Sequence, residues 1–256
     1  MKIARFEHQG TLAFGILDEE EQELVRLFGD PLYAGFETVD ERIPLERASL
    51  LAPVIPRSKV VAFGRNYAEH AAERGARTPA EPLMFLKPNT AVIGPGRPIV
   101  LPAQSERVDH EVELAVVIGH IARKVPARDA HKVVFGYTIA NDVTARDLQE
   151  RDGQWTRAKG FDSFCPLGPW IETEFDPSRG AIRCTVDGEL RQSSDLSRQL
   201  HPVAALVEYA SAVFTLLPGD VLLTGTPAGV GPLRAGQTVG CSIEGIGELT
   251  NPVEAR

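Results

Sequence analysis

Residues 109–118 form a largely apolar run with two glutamates near its start, and this run constrains how the chain can fold. It reads Asp-His-Glu-Val-Glu-Leu-Ala-Val-Val-Ile, so Glu111 and Glu113 lead into a stretch suited to a buried strand. Because side chains alternate across a strand, the two glutamates would share one face, roughly 7 Å apart. Like charges at that spacing repel unless a cation lies between them, and carboxylate oxygens suit a hard ion such as Mg²⁺, Mn²⁺ or Ca²⁺. We therefore expect a metal site, the alternative being the solvated face of an edge strand.

The charge balance and the cysteines narrow the classes of function. With 35 acidic and 27 basic residues, the formal net charge is −8, so no basic field would attract nucleic acid or an anionic membrane. A small anionic substrate would need a local cluster of Arg and Lys side chains. The three cysteines lie far apart, which predicts neither a zinc site nor a disulfide framework. Charges near the first residue and the lack of a long apolar stretch predict a cytoplasmic protein.

Turn-forming residues divide the chain into two expected domains. Three short strands before residue 28 predict a small N-terminal β-rich domain over residues 1–57, because prolines near its end interrupt any regular element. Residues 58–256 would then form the larger, catalytic domain. In that domain a short polar helix over residues 68–74 precedes a mobile segment rich in glycine and proline, which predicts a lid near residues 65–82.

The larger domain alternates short apolar strands with turns. Body strands are expected at residues 59–63, 83–86, 99–101, 112–118, 133–140, 182–186, 221–224 and 239–243. Only residues 144–151 and 202–214 are expected to be firmly helical. Because strands and helices do not alternate regularly, we expect a β-rich α+β fold with a mixed β-sheet.

A second group of polar residues follows the strand expected at residues 133–140. Asp142 lies between that strand and a helix, where an acid could also serve to stabilise the start of the helix. Arg146 and Gln149 are three residues apart and so share one helix face. A guanidinium can bind a carboxylate through two hydrogen bonds. The segment thus offers a metal ligand, a group that binds carboxylates and an amide within a short stretch.

Six motifs in order extend this interpretation. They lie at residues 64–73, 85–88, 110–113, 141–149, 159–162 and 224–232, and read GRNYAEHAAE, FLKP, HEVE, NDVTARDLQ, KGFD and TGTPAGVGP. From about residue 50 to the C-terminus, the chain therefore resembles the fumarylacetoacetate hydrolase family. The last motif is rich in glycine but lacks the Gly-Lys-Ser/Thr ending of a phosphate-binding loop. We interpret it instead as a turn that presents hydroxyl and amide groups to a carboxylate.

The resemblance implies a fold, a metal and a set of site residues. The fold is a mixed β-sheet roll that holds a divalent metal, usually Mg²⁺, through Glu111, Glu113 and Asp142. In the lid, His70 and Glu73 would form a general-base dyad, consistent with their spacing of three residues on a helix. The residues implied to contact the acid and oxo groups of the substrate are Arg146, Gln149, Lys159 and Thr226, with Lys159 counted among the catalytic groups.

For five further residues the sequence leaves alternative assignments open. Arg65 offers another contact for a substrate carboxylate, the alternative being a packed turn. His110 is expected to support the metal site from behind or to be structural. Lys87 is expected at the surface by default, although it could add positive potential beneath the lid. Trp155 and Trp170 are expected in the core or in the contact of a homodimer, which is the usual assembly of the family.

The reaction implied by the resemblance begins with a metal-bound enolate of a small 2-oxo or 2-hydroxy-dienoic dicarboxylate. Isomerisation of a compound like 2-hydroxyhepta-2,4-diene-1,7-dioate is the first expectation. The alternatives are acylpyruvate hydrolysis, oxaloacetate decarboxylation and hydration of a 2-hydroxydienoate. A non-enzymatic alternative is also open, in which the chain is a binding module and the metal has only a structural role.

Overall fold

The computed structural model describes residues 1–73, 75 and 78–255. The strands are β1 (Lys2–His8), β2 (Thr11–Asp18), β3 (Glu23–Leu27), β4 (Thr38–Pro44), β5 (Ser49–Leu51), β6 (Val60–Gly64), β7 (Leu83–Lys87), β8 (Val92–Ile93), β9 (Ile99–Leu101), β10 (Val108–His110), β11 (Val112–Ile118), β12 (Val134–Asn141), β13 (Thr144–Ala145), β14 (Cys165–Glu172), β15 (Ala181–Val186), β16 (Glu189–Asp195), β17 (Val221–Leu223), β18 (Gly231–Pro232), β19 (Thr238–Ile243) and β20 (Gly247–Ala255). The α-helices are α1 (Pro31–Ala34), α2 (Ala68–Glu73), α3 (Arg146–Asp152), α4 (Thr156–Lys159) and α5 (Val203–Val213). Short 3₁₀ helices cover Leu45–Arg47, Asn89–Ala91, Ala127–Lys132 and Leu196–Arg198.

A 12-stranded mixed sheet forms the main layer. Its order is β4-β3-β2-β1-β14-β12-β11-β17-β6-β7, with β5 added beside β1 and β8 beside β14. The strands near the N-terminus join this sheet where β1 pairs antiparallel with β14, placing Ile3 opposite Ile171. The N-terminal strands are thus continuous with the body in hydrogen bonding, while the domain boundary near residue 57 stays a prediction.

Strand β11 lies inside the main sheet and is buried along its whole length. Its alternating side chains serve two layers, as the strand geometry requires. Leu114 and Val116 pack in the core cluster shared with β15, β19 and α5, whereas Ala115 and Val117 pack on the opposite side. This burial on both faces fixes the position of the residues that precede the strand, among them Glu111.

Two smaller sheets complete the body. One has the order β16-β15-β19-β20-β9, and the other joins β13, β10 and β18. Cys184 on β15 lies opposite Cys241 on β19; both thiols are buried and free, as is that of Cys165. The expectation that the cysteines form no disulfide framework is confirmed.

The β-rich α+β fold with mixed sheets is confirmed, and several strands have the expected limits. Strands β9 and β11 begin and end at the predicted residues, and β1, β2 and β3 are present near the N-terminus. The helix expected from residue 144 begins only at Arg146, because Thr144 and Ala145 pair with β10. The helix expected over residues 202–214 is α5, which is one residue shorter at each end.

Other elements were not expected from the sequence. Strand β14 contains Pro166, Gly168 and Pro169, residues that ordinarily indicate turns. It is nevertheless buried between β1 and β12, because tertiary packing outweighs local preference here. Strands β4, β16 and β20 and the short helices α1 and α4 were also missed. Two firm helices were expected, and α3 and α5 are indeed the longest of the described α-helices.

The region expected to form a lid is only partly described. Helix α2 occupies Ala68–Glu73, close to the helix expected over residues 68–74. Arg74, Ala76 and Arg77 lie outside the described residues, so the end of that helix and part of the segment expected to be mobile are not assessed. Among the residues that the structure describes, no helix is both long and apolar enough to cross a membrane.

Candidate active site and metal centre

The backbone changes direction of pairing at Glu111. Strand β10 ends at His110 and pairs with β13 and β18, whereas β11 starts at Val112 in the main sheet. The amide of Glu111 donates to Asn141 Oδ1 at 2.9 Å, and that of Val112 donates to Gln192 Oε1 at 3.1 Å. The expectation that Glu111 and Glu113 lie on one continuous strand is therefore wrong. The side-chain amides of Asn141 and Gln192 thus accept the hydrogen bonds of the backbone N–H groups at this break, and Glu111 lies between the two strands.

The predicted metal ligands nevertheless come together. Glu111, Glu113 and Asp142 each offer a carboxylate oxygen within 4.8 Å of those of the other two, and all three residues are buried. Asp142 directly follows β12, where its amide donates to the Glu111 carbonyl at 2.8 Å. Glu113 Oε2 accepts a hydrogen bond from the amide of Gly225 at 2.7 Å. Three oxygen ligands in a small buried space fit a hard divalent cation.

The electrostatics of the cluster favour added positive charge. Burial, the neighbouring Asp142 and Glu111 together raise the pKa of Glu113 well above its usual range. Burial alone would also raise the pKa of Glu111, but the charges of Lys159 and Arg146 outweigh it and hold that pKa below its usual range. Two carboxylates of one cluster thus have pKa values shifted in opposite directions, which is typical of a functional site.

Three cations surround the carboxylates. Lys159 Nζ lies 2.8 Å from Glu111 Oε2 and 2.6 Å from Asp142 Oδ2, and Lys87 Nζ lies 2.6 Å from Asp142 Oδ1. Arg146 donates to Glu111 and, at 2.9 Å, to Asp109. The surface position expected for Lys87 is wrong, since its side chain is buried and paired with Asp142. Lys87 ends a strand of mostly apolar residues, and nothing in that local sequence indicates that Asp142, a residue far along the chain, lies against it.

A cavity of about 230 Å³ opens over this cluster. It is lined by Phe63, Gly64, Arg65, His70, Glu111, Glu113, Arg146, Gln149, Glu150, Trp155, Lys159 and Thr226. Its volume is below the usual range for drug-sized ligands, so it suits a small acid. Of the predicted site residues, Asp142 and Glu73 are absent from the lining and lie next to residues that form it, Lys159 and His70.

One wall of the cavity carries an arginine against an aromatic ring. The guanidinium of Arg65 lies 5.9 Å from the ring centroid of Trp155, and Phe85 packs edge-on against the same ring. Arg65 has a backbone φ of +58°, which is uncommon for a residue other than glycine. Trp155 lines the cavity, so the expectation that it serves the core is corrected, while its place in a dimer contact stays a prediction; Trp170 packs against core residues as expected.

The lid residues lie beside the cavity. His70 Nδ1 is 3.5 Å from Glu73 Oε2, although this nitrogen makes no hydrogen bond within the described part of the chain. Glu73 accepts a hydrogen bond from the amide of Gly229, 3.1 Å from each of its oxygens. Burial lowers the pKa of His70 below its ordinary value, against the opposing charge of Glu111. A neutral imidazole is therefore available at neutral pH to accept a proton.

The remaining predicted residues lie where hydrogen bonds orient them. Arg146 donates to Gln149 Oε1 at 2.7 Å, in agreement with a shared helix face. Thr226 accepts from Gln192 Nε2 at 2.8 Å. His110 does not line the cavity; its Nδ1 lies 3.0 Å from Gln192 Oε1. Sequence reasoning did not find Gln192, because a glutamine between exposed residues on a late strand carries no motif.

A strand-rich body with three buried carboxylates beneath a small polar cavity defines a protein suited to hold a divalent cation beside an anionic ligand. Comparison with protein families then gives the particular class. The family described as "Fumarylacetoacetate (FAA) hydrolase C-terminal" matches residues 59–254, and "Rv2993c-like, N-terminal" matches residues 1–53. The chain belongs to the fumarylacetoacetate hydrolase family.

Three of the similar proteins have names that describe isomerisation or tautomerisation. The 5-carboxymethyl-2-hydroxymuconate delta-isomerase of Mycobacterium smegmatis is 49% identical, with a TM-score of 0.93 and full coverage of both chains. The 2-hydroxyhepta-2,4-diene-1,7-dioate isomerase of Mycobacterium marinum is 47% identical, with a TM-score of 0.91 over 100% of this chain and 99% of that one. The mitochondrial oxaloacetate tautomerase Fahd2a of Rattus norvegicus is 43% identical over 82% of this chain and 71% of its own length.

Proposed function

We propose that this protein is a divalent-metal-dependent isomerase or tautomerase of small 2-oxo or 2-hydroxy-dienoic dicarboxylates. The names of the three relatives described above refer to isomerisation or tautomerisation. Both reactions move a hydrogen atom between carbon and oxygen, or along a conjugated chain, and break no carbon–carbon bond. The observation that carries the proposal is a buried imidazole of lowered pKa in the wall of a cavity whose floor is a carboxylate–lysine cluster.

The residues of the cluster fit Mg²⁺, with Mn²⁺ and Ca²⁺ as alternatives. Glu111, Glu113 and Asp142 would hold the ion, because each carboxylate oxygen has lone pairs beyond those used by the neighbouring lysines and arginine. When bound, the ion would act as a Lewis acid on the 2-oxo group of the substrate. Without it, the lysines alone balance much of the negative charge.

The chain's own side chains would bind the substrate and move the proton. Arg146 uses three N–H groups on Asp109, Glu111 and Gln149, which leaves two for a substrate carboxylate. Arg65 also lines the cavity and makes no ion pair with any described residue, so it could meet a second carboxylate. Lys159 would place positive charge near the 2-oxo oxygen.

His70 would be the group that accepts and returns the proton. Glu73 beside Nδ1 favours the tautomer with its hydrogen on that nitrogen, so Nε2 carries the lone pair. Nε2 would take a proton from the carbon next to the 2-oxo group while the electron pair moves toward the oxygen, and it would return the proton at the other end of the enol. Glu73 would stabilise the imidazolium formed between the two steps.

The test is proton exchange on a substrate whose carbon skeleton stays intact. Oxaloacetate in D₂O with Mg²⁺ should exchange its C3 hydrogens faster than in the absence of protein, and EDTA should abolish the acceleration; both are measured by NMR. 2-Hydroxyhepta-2,4-diene-1,7-dioate should isomerise with a change in ultraviolet absorbance. If the protein accelerates neither reaction with Mg²⁺ or Mn²⁺ present, the proposal is refuted.

Acylpyruvate hydrolysis is a second candidate, favoured by the placement of Glu73 beside His70. The same imidazole could remove a proton from water instead of from carbon. Hydrolysis breaks a carbon–carbon bond and releases pyruvate, which an isomerase never does. Product analysis with acetylpyruvate therefore distinguishes the two candidates.

A further inference from the structure

Gln192 is a fully buried amide in an otherwise exposed segment. Strand β16 is the edge of the five-stranded sheet, and the residues on either side of Gln192, Arg191 and Ser193, are exposed. An unpaired buried amide is costly, yet here each polar position has a partner. Its Oε1 lies 3.1 Å from the amide of Val112 and 3.0 Å from His110 Nδ1, and its Nε2 lies 2.8 Å from both Thr226 Oγ1 and the Pro227 carbonyl.

The direction of each of these hydrogen bonds follows from the partners. A backbone amide such as that of Val112 can only donate, so it must face the oxygen of Gln192. A carbonyl such as that of Pro227 can only accept, so it must face the nitrogen. Both constraints give the same orientation of the side chain, in which Nε2 also donates to Thr226 Oγ1. The hydroxyl of Thr226 therefore keeps its own hydrogen for another acceptor.

The hydrogen of the Thr226 hydroxyl can point into the cavity. Thr226 lines the cavity, and within the described part of the chain its side chain makes no hydrogen bond besides the one from Gln192. The neighbouring Thr224 differs, because its hydroxyl donates to the Leu114 carbonyl at 3.0 Å and accepts from Gln199 Nε2 at 2.9 Å. Thr224 thus has its hydrogen occupied by the backbone, whereas Thr226 can offer its hydrogen to a ligand.

The loop that carries Thr226 is held against β16 by close backbone packing. Gly229 has a φ of +95°, and a Cβ there would lie 2.2 Å from the carbonyl oxygen of Arg191, so no other residue fits. This approach keeps the start of the loop beside Gln192. His110 and Val112, the partners on the other side of the amide, flank the metal-ligand candidate Glu111 in sequence. One side chain thus joins the strand break to the loop.

We propose that Gln192 is a positioning residue that makes the Thr226 hydroxyl a hydrogen-bond donor to a ligand carboxylate. The proposal rests on the proposed function for the presence of that carboxylate. It predicts that the group placed at Thr226 is an acceptor, as in a 2-oxo acid, and that a hydroxyl or amine donor is disfavoured there. Gln192 acts through Thr226 and does not itself line the cavity.

The test replaces the donor and keeps the shape. In Gln192→Glu, the carboxylate has no N–H and would accept the hydrogen of Thr226, so the hydroxyl would turn away from the ligand. With Mn²⁺ present, we expect oxalate to bind about 10- to 100-fold more weakly, the range given by loss of a hydrogen bond to a charged group. Mn²⁺ affinity alone should stay within about twofold, because the substituted side chain keeps the oxygen that accepts from the amide of Val112 and no carboxylate of the cluster is replaced. Both affinities are measured by isothermal titration calorimetry.

A double-mutant cycle separates positioning from a general structural effect. Thr226→Val should weaken oxalate binding in the parent protein but add little in the Gln192→Glu background. Equal losses in both backgrounds would overturn the proposal, as would unchanged oxalate binding in folded Gln192→Glu. If that variant does not fold, Gln192→Met removes the same donor without introducing charge, and oxalate affinity equal to that of the parent would equally overturn it.

The matched control is Gln199→Glu. It makes the same substitution in the other glutamine–threonine pair, Gln199 and Thr224, whose hydroxyl already donates to the backbone. Oxalate affinity should stay within about twofold of the parent, because no ligand-facing hydrogen bond changes; an equal loss in the control would overturn the assignment to Gln192. The two proposals fail in different ways. If the parent with Mn²⁺ does not bind oxalate at all, the proposed function fails. If the parent binds oxalate and Gln192→Glu binds it equally well, only the role of Gln192 fails.

Discussion

The carboxylate cluster and helix α2, the expected lid, show two different ways of presenting charged groups to one cavity. Glu111, Glu113 and Asp142 come from the ends of strands inside the main sheet, are buried and are held by amides or cations. The lid residues come from the short helix α2 at the surface. Glu73 is 37% exposed and meets His70 at 3.5 Å, and the ion pair of Glu69 with Arg198 is exposed on both sides.

The difference teaches which region should control which property. Buried, mutually paired charges depend on one another, so removing one leaves its partner without compensation in a poorly solvated place. Exposed pairs on a short helix contribute little to stability and open readily. The cluster should therefore govern metal binding and the stability of the fold, and the lid should govern proton transfer.

Replacing His70 by Ala should give the largest effect and confine it to activity. Loss of a general acid–base group typically lowers a rate by about 100- to 10,000-fold, which corresponds to roughly 3 to 5 kcal/mol in the barrier. The rate of C3 proton exchange on oxaloacetate measures this loss. His120→Ala, at an exposed turn after β11, should keep the parent rate. Near-parent exchange in His70→Ala would contradict the role given to the lid.

Replacing Lys87 by Met should affect stability more than the loss of any lid ion pair. Breaking a buried pair costs about 3 to 5 kcal/mol in the free energy of unfolding, and we expect the lower end because Lys159 still pairs with Asp142. The matched change at the lid is Arg198→Met, which removes the exposed partner of Glu69 and should cost at most about 1 kcal/mol. Urea unfolding of both variants measures the difference. Similar losses in the two would remove the distinction between the regions.

Much of the fold and of the candidate site was accessible from the sequence, for identifiable reasons. The limits of β11 followed from a largely apolar run interrupted only by Glu113, and the proximity of Arg146 to Gln149 and of His70 to Glu73 followed from helical spacing. Each of these inferences uses residues that are close in the chain. The three carboxylates, by contrast, were brought together by resemblance to a family, not by spacing.

What the sequence could not give depends on contacts between distant segments. Lys87 meets Asp142 across 55 residues and Gln192 meets Val112 across 80. The break in the strand at Glu111 is satisfied by Asn141 and Gln192, so it is visible only once β12 and β16 are in place. Strand β14 was missed for a related reason, because its prolines are accommodated by the sheet around it.

Removing a metal ligand should abolish the stabilisation of the fold by a divalent ion, whereas a change in the lid should not. The expected effect is smaller than those of the two substitutions above. A divalent ion that binds only the folded protein adds about 2.7 kcal/mol of stability at 100 times its dissociation constant. Mn²⁺ should therefore raise the unfolding temperature of the parent and of His70→Ala, and EDTA should reverse the rise. Asp142→Asn should lose this response because it removes one of the three carboxylates. A response that persists in Asp142→Asn would show that the ion binds elsewhere.

The smallest expected effect is a shift in the pH profile of proton exchange. The profile should depend on His70, a residue of the lid. His70 must be neutral to accept a proton, so kcat/KM should rise with pH and level off above the pKa of His70. Burial places that pKa below the ordinary imidazole value, while Glu111 and Glu73 raise it and Arg146 and Lys159 lower it.

Glu73→Gln removes one of the two charges that raise the pKa of His70, so the midpoint of the profile should move to lower pH. Glu69→Gln changes the same charge on the same helix, but Glu69 pairs with Arg198 and is not among the groups with the largest effects on the pKa of His70. Its midpoint should therefore match that of the parent. Profiles of kcat/KM for the three proteins decide the matter. An unmoved midpoint in Glu73→Gln would mean that the lid carboxylate positions the loop at Gly229 and does not tune the imidazole.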